Sequence, residues 1–337
     1  MVGWDAPPAQ PGHRLSRSRR DVETNQERPA VGVDIGGTKL LAVRLEPDGR
    51  VVTDGLSASP RTGEELVEEV LVAARRLAGG RPGSLGVGVP GLVDATGALV
   101  FAPNLSGAAG TALGDALRAA EPDCRFWVGN DGTAACWAEH EHGAGRGHPD
   151  MLMVTLGTGI GGGIVCGGRL VEGAHRFAGE FGHMVVDPNG PQCPCGKKGC
   201  WERFASGSGL GRLARELAVA GGAPGLVEMA GGDPESVKGE HVTAAARTGE
   251  PAALEIMRRF GWWVGLGLAN LTNLFDPDVI VLGGGLVQAG DVLLEPTRAA
   301  FLELVEGATV RPPVAIVAAQ MGPEAGAVGA GLLAASG

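Results

Sequence analysis

Three groups of residues have types and spacings suited to chemistry. The first is a pair of glycine turns, Asp34-Ile35-Gly36-Gly37-Thr38-Lys39 and Gly157-Thr158-Gly159-Ile160-Gly161-Gly162-Gly163. Glycines without a Cβ let backbone N–H groups close on an anion, and a threonine hydroxyl adds a donor, so both turns read as phosphate cradles. Asp34, at the end of the strand that enters the first turn, is the kind of carboxylate that holds a hydrated Mg²⁺ beside phosphates. The second group is Cys193-Pro-Cys195-Gly196-Lys-Lys-Gly199-Cys200, with His183 ten residues upstream. Three thiols and one imidazole make a closed tetrahedral set for a structural Zn²⁺, with free loop cysteines or an intraloop disulfide as the competing readings. The third group is Asn130-Asp131, where an apolar strand gives way to DGTAACWAEHEH.

The metal loop is flanked by Glu180 and Glu202. A histidine held by zinc through one ring nitrogen presents the other as an oriented N–H. Carboxylates accept charge-assisted hydrogen bonds from O–H groups, so the ligand implied is a polyol or a sugar. Transfer of a phosphoryl group to such a hydroxyl needs a carboxylate to take the proton, and Asp131 is the candidate; its competing reading is a helix N-cap. Asn104, in Phe101-Ala-Pro-Asn104-Leu, reads as a further sugar contact or as a plain turn residue. Gly157, Gly159 and Gly162 also satisfy G-x-G-x-x-G, with Glu180 downstream. The dinucleotide reading fails because a helix must follow, whereas Ile164-Val165-Cys166 runs into a second turn. No GxxxxGK[ST] is present, which excludes a Walker-type loop.

The elements that must position these residues follow from periodicity. AVGVDI, KLLAVRLE and RVVTDGLSA predict an opening meander of strands. EELVEEVLVAARRLAGG places Leu66, Val67, Val70, Leu71, Ala74 and Leu77 on one helical face. SLGVGVPG and CRFWVGN predict strands, and ALGDALRAA between them a helix. The plan then repeats: MLMVTLGTGIGGGIVCGGRLVEG is again strand, glycine turn, strand. AALEIMRRFGWWVGLGLANLTNLF and VLLEPTRAAFLELV predict helices, VIVLGGG and VAIVAAQ strands. The expectation is an α/β fold of two similar halves around a cleft.

The chain has 337 residues and 59 glycines without a three-residue period, so the glycines serve turns and close backbone approaches rather than a collagen helix. Its net charge of −10 argues against nucleic acid or an anionic membrane as the main partner. No apolar run is long and even enough for a membrane span. Six cysteines, three of them clustered, fit a reducing, cytoplasmic setting; Cys124, Cys136 and Cys166 are expected as small core hydrophobes. Residues 1–29 are polar and Pro- and Arg-rich and predict a disordered tail; Arg19-Arg20 lacks the apolar stretch of an export signal.

Taken in order, DIGGTK (34–39), APN (102–104), ND (130–131), TLGTGIGGG (155–163), GEFGH (179–183), CPCGKKGCWE (193–202) and VIVLGGG (279–285) resemble the ROK family of repressors and sugar kinases, from about residue 30 to the end. The resemblance implies a duplicated actin-like (ribonuclease-H-like) two-lobed sugar kinase fold with an interlobe cleft. The small lobe would be 30–133 plus 322–337, and the large lobe 134–321 with the zinc loop. It implies ATP-dependent phosphorylation of glucose at the 6-hydroxyl, with Mg²⁺ and a structural Zn²⁺. Asp131 would be the general base. Asn104, Asn130, Glu180, His183 and Glu202 would hold the other hydroxyls. Gly36, Thr38, Thr158 and Gly159 would face the phosphates, with Gly37 and Lys39 in the same cradle, and Gly283-Gly284-Gly285 the adenosine. His183, Cys193, Cys195 and Cys200 would bind zinc. A homodimer or homotetramer is expected. The DNA-binding members carry a helix-turn-helix that about 30 polar residues do not supply. N-acetylmannosamine, N-acetylglucosamine or fructose as acceptor, ADP or polyphosphate as donor, and a non-catalytic sugar sensor remain open.

Overall fold

The computed structural model describes residues 28–37, 39–46, 51–58 and 61–337; Thr38 and most of the N-terminal tail therefore lie outside the described residues. Two five-stranded sheets are built on one plan. In the first, β1 (Ala30–Ile35), β2 (Lys39–Leu45) and β3 (Val51–Ala58) form the antiparallel meander, and β4 (Ser84–Val89) and β7 (Arg125–Asn130) add in parallel, in the order β3-β2-β1-β4-β7. A small ribbon, β5 (Leu92–Val93) with β6 (Leu99–Phe101), stands apart. The second sheet has β8 (Met151–Leu156), β9 (Ile160–Cys166), β10 (Arg169–Leu170), β11 (Val279–Gly283) and β12 (Ala315–Ala318) in the order β10-β9-β8-β11-β12. Here too the first strand pairs antiparallel with the second and parallel with the next in the sheet. The repeated strand–glycine turn–strand pattern is thus a repeated topology.

Helices cover the sheets. Helix α1 (Gly63–Ala78) starts at a Thr62–Glu65 capping box, buries Leu66, Val70, Ala73, Ala74 and Leu77, and stops at Gly79, whose φ of 66° is left-handed. It is followed by α2 (Leu113–Ala120) and α3 (Asp131–His142). After β10 come α4 (Glu202–Ala205), α5 (Gly207–Val219), α6 (Pro224–Met229), α7 (Gly239–Arg247), the long α8 (Pro251–Phe275), α9 (Asp291–Leu304) and α10 (Ala325–Ser336). Helix α10 returns to the first sheet and packs on β1, β4 and α3. It sits so close that a Cβ on Gly86 of β4 would lie 1.8 Å from the Ala330 carbonyl oxygen, which is one use of the glycine excess.

Each sheet has its own core, with Val33, Leu66, Leu85 and Leu117 in the first and Leu152, Trp201, Phe260 and Leu282 in the second. A further cluster of Val43, Cys136, Met151, Val281 and Val328 joins α3 and α10 to strands of both sheets. Cys124 and Cys136 are buried as expected. Cys166 is not: it ends β9 on the solvent side of the turn, beside the Asp150 carboxylate, which pushes its thiol pKa up. Among the described residues no helix is long and apolar enough to cross a membrane.

Candidate active site

Asp131 occupies the first position of α3, directly after β7. The cap of that helix is its neighbour: Asn130 Oδ1 accepts from the Thr133 N–H at 3.0 Å, and its Nδ2 donates to the Gly91 carbonyl at 3.2 Å. The Asp131 carboxylate is thereby released from capping and receives the adjacent Gly132 N–H at 2.8 Å. Burial raises its pKa above the ordinary carboxylate range. Asp34, near the end of β1, lies two strands away across Gly88 of β4. A Cβ on Gly88 would fall 3.3 Å from Asp131 Cα and 3.6 Å from Asp34 Oδ1, so a side chain there would wedge between the two acids. Among the described residues Asp34 Oδ1 is buried without a hydrogen-bond partner, and its carboxyl is pushed up to about 7, first by burial and then by the charge of Asp131. Two adjacent carboxylates, one with an unpartnered buried oxygen, fit a divalent cation, whose charge would offset both effects.

The second wall of the site is the loop 179–202. His183 ends a single 3₁₀ turn, Phe181–His183. Its Nδ1 lies 3.9 Å from Cys193 Sγ, Cys195 Sγ lies 3.6 Å from Cys200 Sγ, and the four ligand atoms all fall within 4.8 Å of one another. A tetrahedron with Zn–S bonds of ~2.3 Å has edges of about 3.8 Å, so the donor set matches Zn²⁺ in both chemistry and size. The other ring nitrogen, Nε2, points at Glu180, 3.9 Å from Oε2. Burial raises the Glu180 pKa; His183 pulls it down, and the charges of Asp131 and Glu202 push it up. Glu180 is therefore within electrostatic reach of Asp131 and 3.9 Å from His183, and Gly162 of β9 lies against both Gly132, next to Asp131, and Phe181, next to Glu180. Strand β9 allows this approach only because residue 162 is glycine: its Cβ would lie 2.2 Å from the Met153 carbonyl oxygen and 2.9 Å from the Phe181 ring.

Glu202 opens α4, and its Oε2 accepts from the Ile160 N–H at 2.9 Å. It fastens the exit of the metal loop to the second glycine turn, leaving Oε1 as its available acceptor. That turn is further held by Gly207 N–H to the Gly157 carbonyl at 2.8 Å and by Ser208 Oγ to the Thr158 carbonyl at 2.8 Å. A cleft of about 710 Å³ opens beside it, lined by Gly157, Thr158, Arg203, Arg215 and Gly285 among others. Of the expected adenosine glycines, Gly285 lines this cleft. Gly283 is buried against Met153, and Gly284 is exposed at a φ of 84°, where a Cβ would fall 2.4 Å from the Leu156 carbonyl oxygen. In the first turn Gly36 N–H reaches the Lys39 carbonyl at 2.8 Å, Lys39 is exposed, and a Cβ on Gly37 would be 3.8 Å from exposed Asn104 Cβ. A larger groove of about 970 Å³, between α1 and α2, contains none of these residues.

The model of the ROK family matches residues 30–336. The chain belongs to the ROK family. This ROK chain is 39% identical over 311 residues to a glucokinase of Streptomyces coelicolor, covering 90% of this chain and 96% of that one. It is 33% identical over 306 residues to a glucokinase of Thermotoga maritima, covering 89% and 95%. A crystal structure of a ROK family glucokinase from Streptomyces griseus in complex with glucose and AMPPNP superposes with a TM-score of 0.80 at 39% identity, covering 92% of this chain and all of that one. One part of this ROK protein's cleft escapes the sequence reading. Helices α5 and α7, which bring Ser208, Arg215 and Gly239 to the cleft, have no counterpart among the elements expected from periodicity. Arg203 carries the only available signal, since it follows the CPCGKKGCWE motif directly.

Proposed function

We propose that this ROK chain is a glucokinase that transfers the γ-phosphoryl group of ATP to the 6-hydroxyl of glucose. The observation that carries the reading is the Asp131 carboxylate, freed from capping by Asn130 and set between Asp34 and Glu180 with a raised proton affinity. A group poised that way takes the hydroxyl proton as the sugar oxygen attacks Pγ and the bond to the ADP oxygen breaks. Glu180 and His183 Nε2 hold neighbouring sugar hydroxyls, joined by Asn104, by Glu202 Oε1, and by the one N–H and one lone pair that Asn130 has left. The glycine turns at 36–39 and 157–159 would line the phosphates, and Gly285 borders the nucleoside. Asp34 would hold Mg²⁺, which supplies positive charge to the phosphates. His183, Cys193, Cys195 and Cys200 would hold Zn²⁺, which fixes the loop. Residues 30–133 with 322–337, and 134–321, act as the two lobes that bring donor and acceptor together. Glucose as acceptor and ATP as donor are supported by relatives named for glucokinase activity and by a relative crystallised with glucose and AMPPNP.

The test is glucose-dependent ADP release with Mg²⁺ and ATP, run beside N-acetylglucosamine, N-acetylmannosamine and fructose. The expected result is the highest kcat/KM with glucose. Glucose binding without turnover would establish a sensor instead, and a larger kcat/KM for another hexose would reassign the acceptor.

A further inference from the structure

Four cationic side chains line the cleft beside the second glycine turn: Arg203, Arg212, Arg215 and Lys238. Two of them are neutralised in place. Arg212 pairs with Glu216 one turn along α5, and Lys238 Nζ lies 3.7 Å from Glu240. The other two have no carboxylate partner among the described residues. Arg215 donates one guanidinium N–H to the Val237 carbonyl at 3.1 Å and is otherwise uncompensated. Arg203 Nε, like Arg212 Nε, is buried with no hydrogen-bond partner among the described residues. Both side chains are half-buried at the cleft, and a guanidinium whose Nε is withdrawn from water without a partner is favoured when an anion completes it.

The location says which anion. Arg203 is the second residue of α4, immediately after Glu202, whose carboxylate is bonded to the Ile160 N–H of the glycine turn. Arg215 is on α5, whose first residues, Gly207 and Ser208, bond to the other side of that turn. Both arginines therefore line the same cleft as Gly157 and Thr158 of the turn read above as a phosphate cradle. Guanidinium forks match phosphate oxygens in shape as well as charge.

We propose that Arg203 and Arg215 bind the phosphate chain of the nucleotide donor and set its affinity. The inference rests on the kinase reading for the identity of the donor, and it adds that donor recognition is carried mainly by charge. Adjacent residues then serve opposite ends of the reaction. Glu202 braces the turn and the sugar side, and Arg203 takes the donor.

The experiment is calorimetric titration of ATP into the wild-type protein and into Arg203→Gln and Arg215→Gln, with Mg²⁺ present, together with steady-state kinetics. Each substitution is expected to raise the ATP Kd and KM about tenfold, a loss of ~1.4 kcal/mol, while the glucose KM moves less than about twofold. The salt dependence of ATP binding should flatten, because fewer charges remain to be screened. Arg203→Lys should recover part of the affinity, and unchanged melting temperatures would exclude misfolding as the cause. An unchanged ATP Kd in both variants would overturn the inference, as would an equal rise in the glucose KM, or no ATP binding by the wild-type protein. A wild-type protein that binds ATP but releases no ADP with glucose would sink the kinase reading alone, and the calorimetric comparison would still decide the role of the arginines.

Discussion

His183 Nε2 lies 3.9 Å from Glu180 Oε2, while Nδ1 of the same ring faces Cys193 Sγ at 3.9 Å. A metal on Nδ1 leaves Nε2 as an N–H of fixed orientation, aimed where Glu180 already waits as an acceptor. Removing zinc with a chelator, or substituting Cys195→Ser, should therefore weaken glucose binding more than it slows chemistry. We expect the glucose KM to rise about 10- to 100-fold, the range usual for a lost partner of a metal-held imidazole. Zinc content and glucose KM measured on the same preparations check this. Purified protein that contains no zinc and binds glucose normally would contradict it.

Asp131→Asn keeps the shape of the side chain and removes its capacity to take a proton. Asn130, not residue 131, caps α3, so the helix should be undisturbed. We expect kcat to fall by roughly 10²–10⁴ with the glucose KM changed by a much smaller factor. Turnover close to wild type would mean that another group receives the proton.

Much of this geometry is legible in the sequence because it is local. The glycine turns, the strand ends that carry Asp34 and Asp131, and the Cys-x-Cys…Cys spacing are each set within about ten residues. The duplicated strand order follows from the repeated strand–turn–strand pattern. What periodicity does not reveal is long-range. That Asn130 rather than Asp131 caps the helix depends on which side chain the Gly91 loop engages. That Glu202 braces the turn at Ile160 joins residues 42 positions apart. Cys166 is as apolar as Cys136 by type, yet only the position of a strand end in space exposes it.

The Asp34–Asp131 pair makes stability and magnesium affinity depend on pH. The Asp34 carboxyl, raised to about 7 in the folded protein by burial and by Asp131, is protonated there at pH values where the unfolded chain, at 3.8, is ionised. Its contribution to stability is complete below the unfolded value and is lost as pH rises through about 7. The metal-free protein should thus melt at a lower temperature on the alkaline side of neutrality. Mg²⁺, which binds the ionised form, should restore the difference. Thermal melts across that range with and without Mg²⁺ test it, and so does an acid limb in kcat/KM that moves to lower pH as Mg²⁺ is raised. A melting temperature insensitive to both would mean that Asp34 is ionised without a cation.

Glu139, two turns along α3 from Asp131, is fully buried. Its Oε1 accepts from the Gln320 and Met321 N–H groups at 2.9 and 2.7 Å, and its Oε2 from the Ala144 N–H at 2.8 Å. The segment it grips leads directly into α10, where Gly326 packs on the Asp34 carboxylate. Glutamine cannot reproduce this: whichever way its amide turns, an NH₂ group faces at least one backbone N–H. With a charge-assisted bond lost and a buried donor left unmet, Glu139→Gln should destabilise the fold by about 2–4 kcal/mol. Glu139→Asp, one methylene too short to reach both sides, should be no better. Denaturant midpoints measure the loss. Because the grip sits on the path to Asp34, the variant should also bind Mg²⁺ more weakly at neutral pH, a change that a lesion confined to the far end of α3 would not produce.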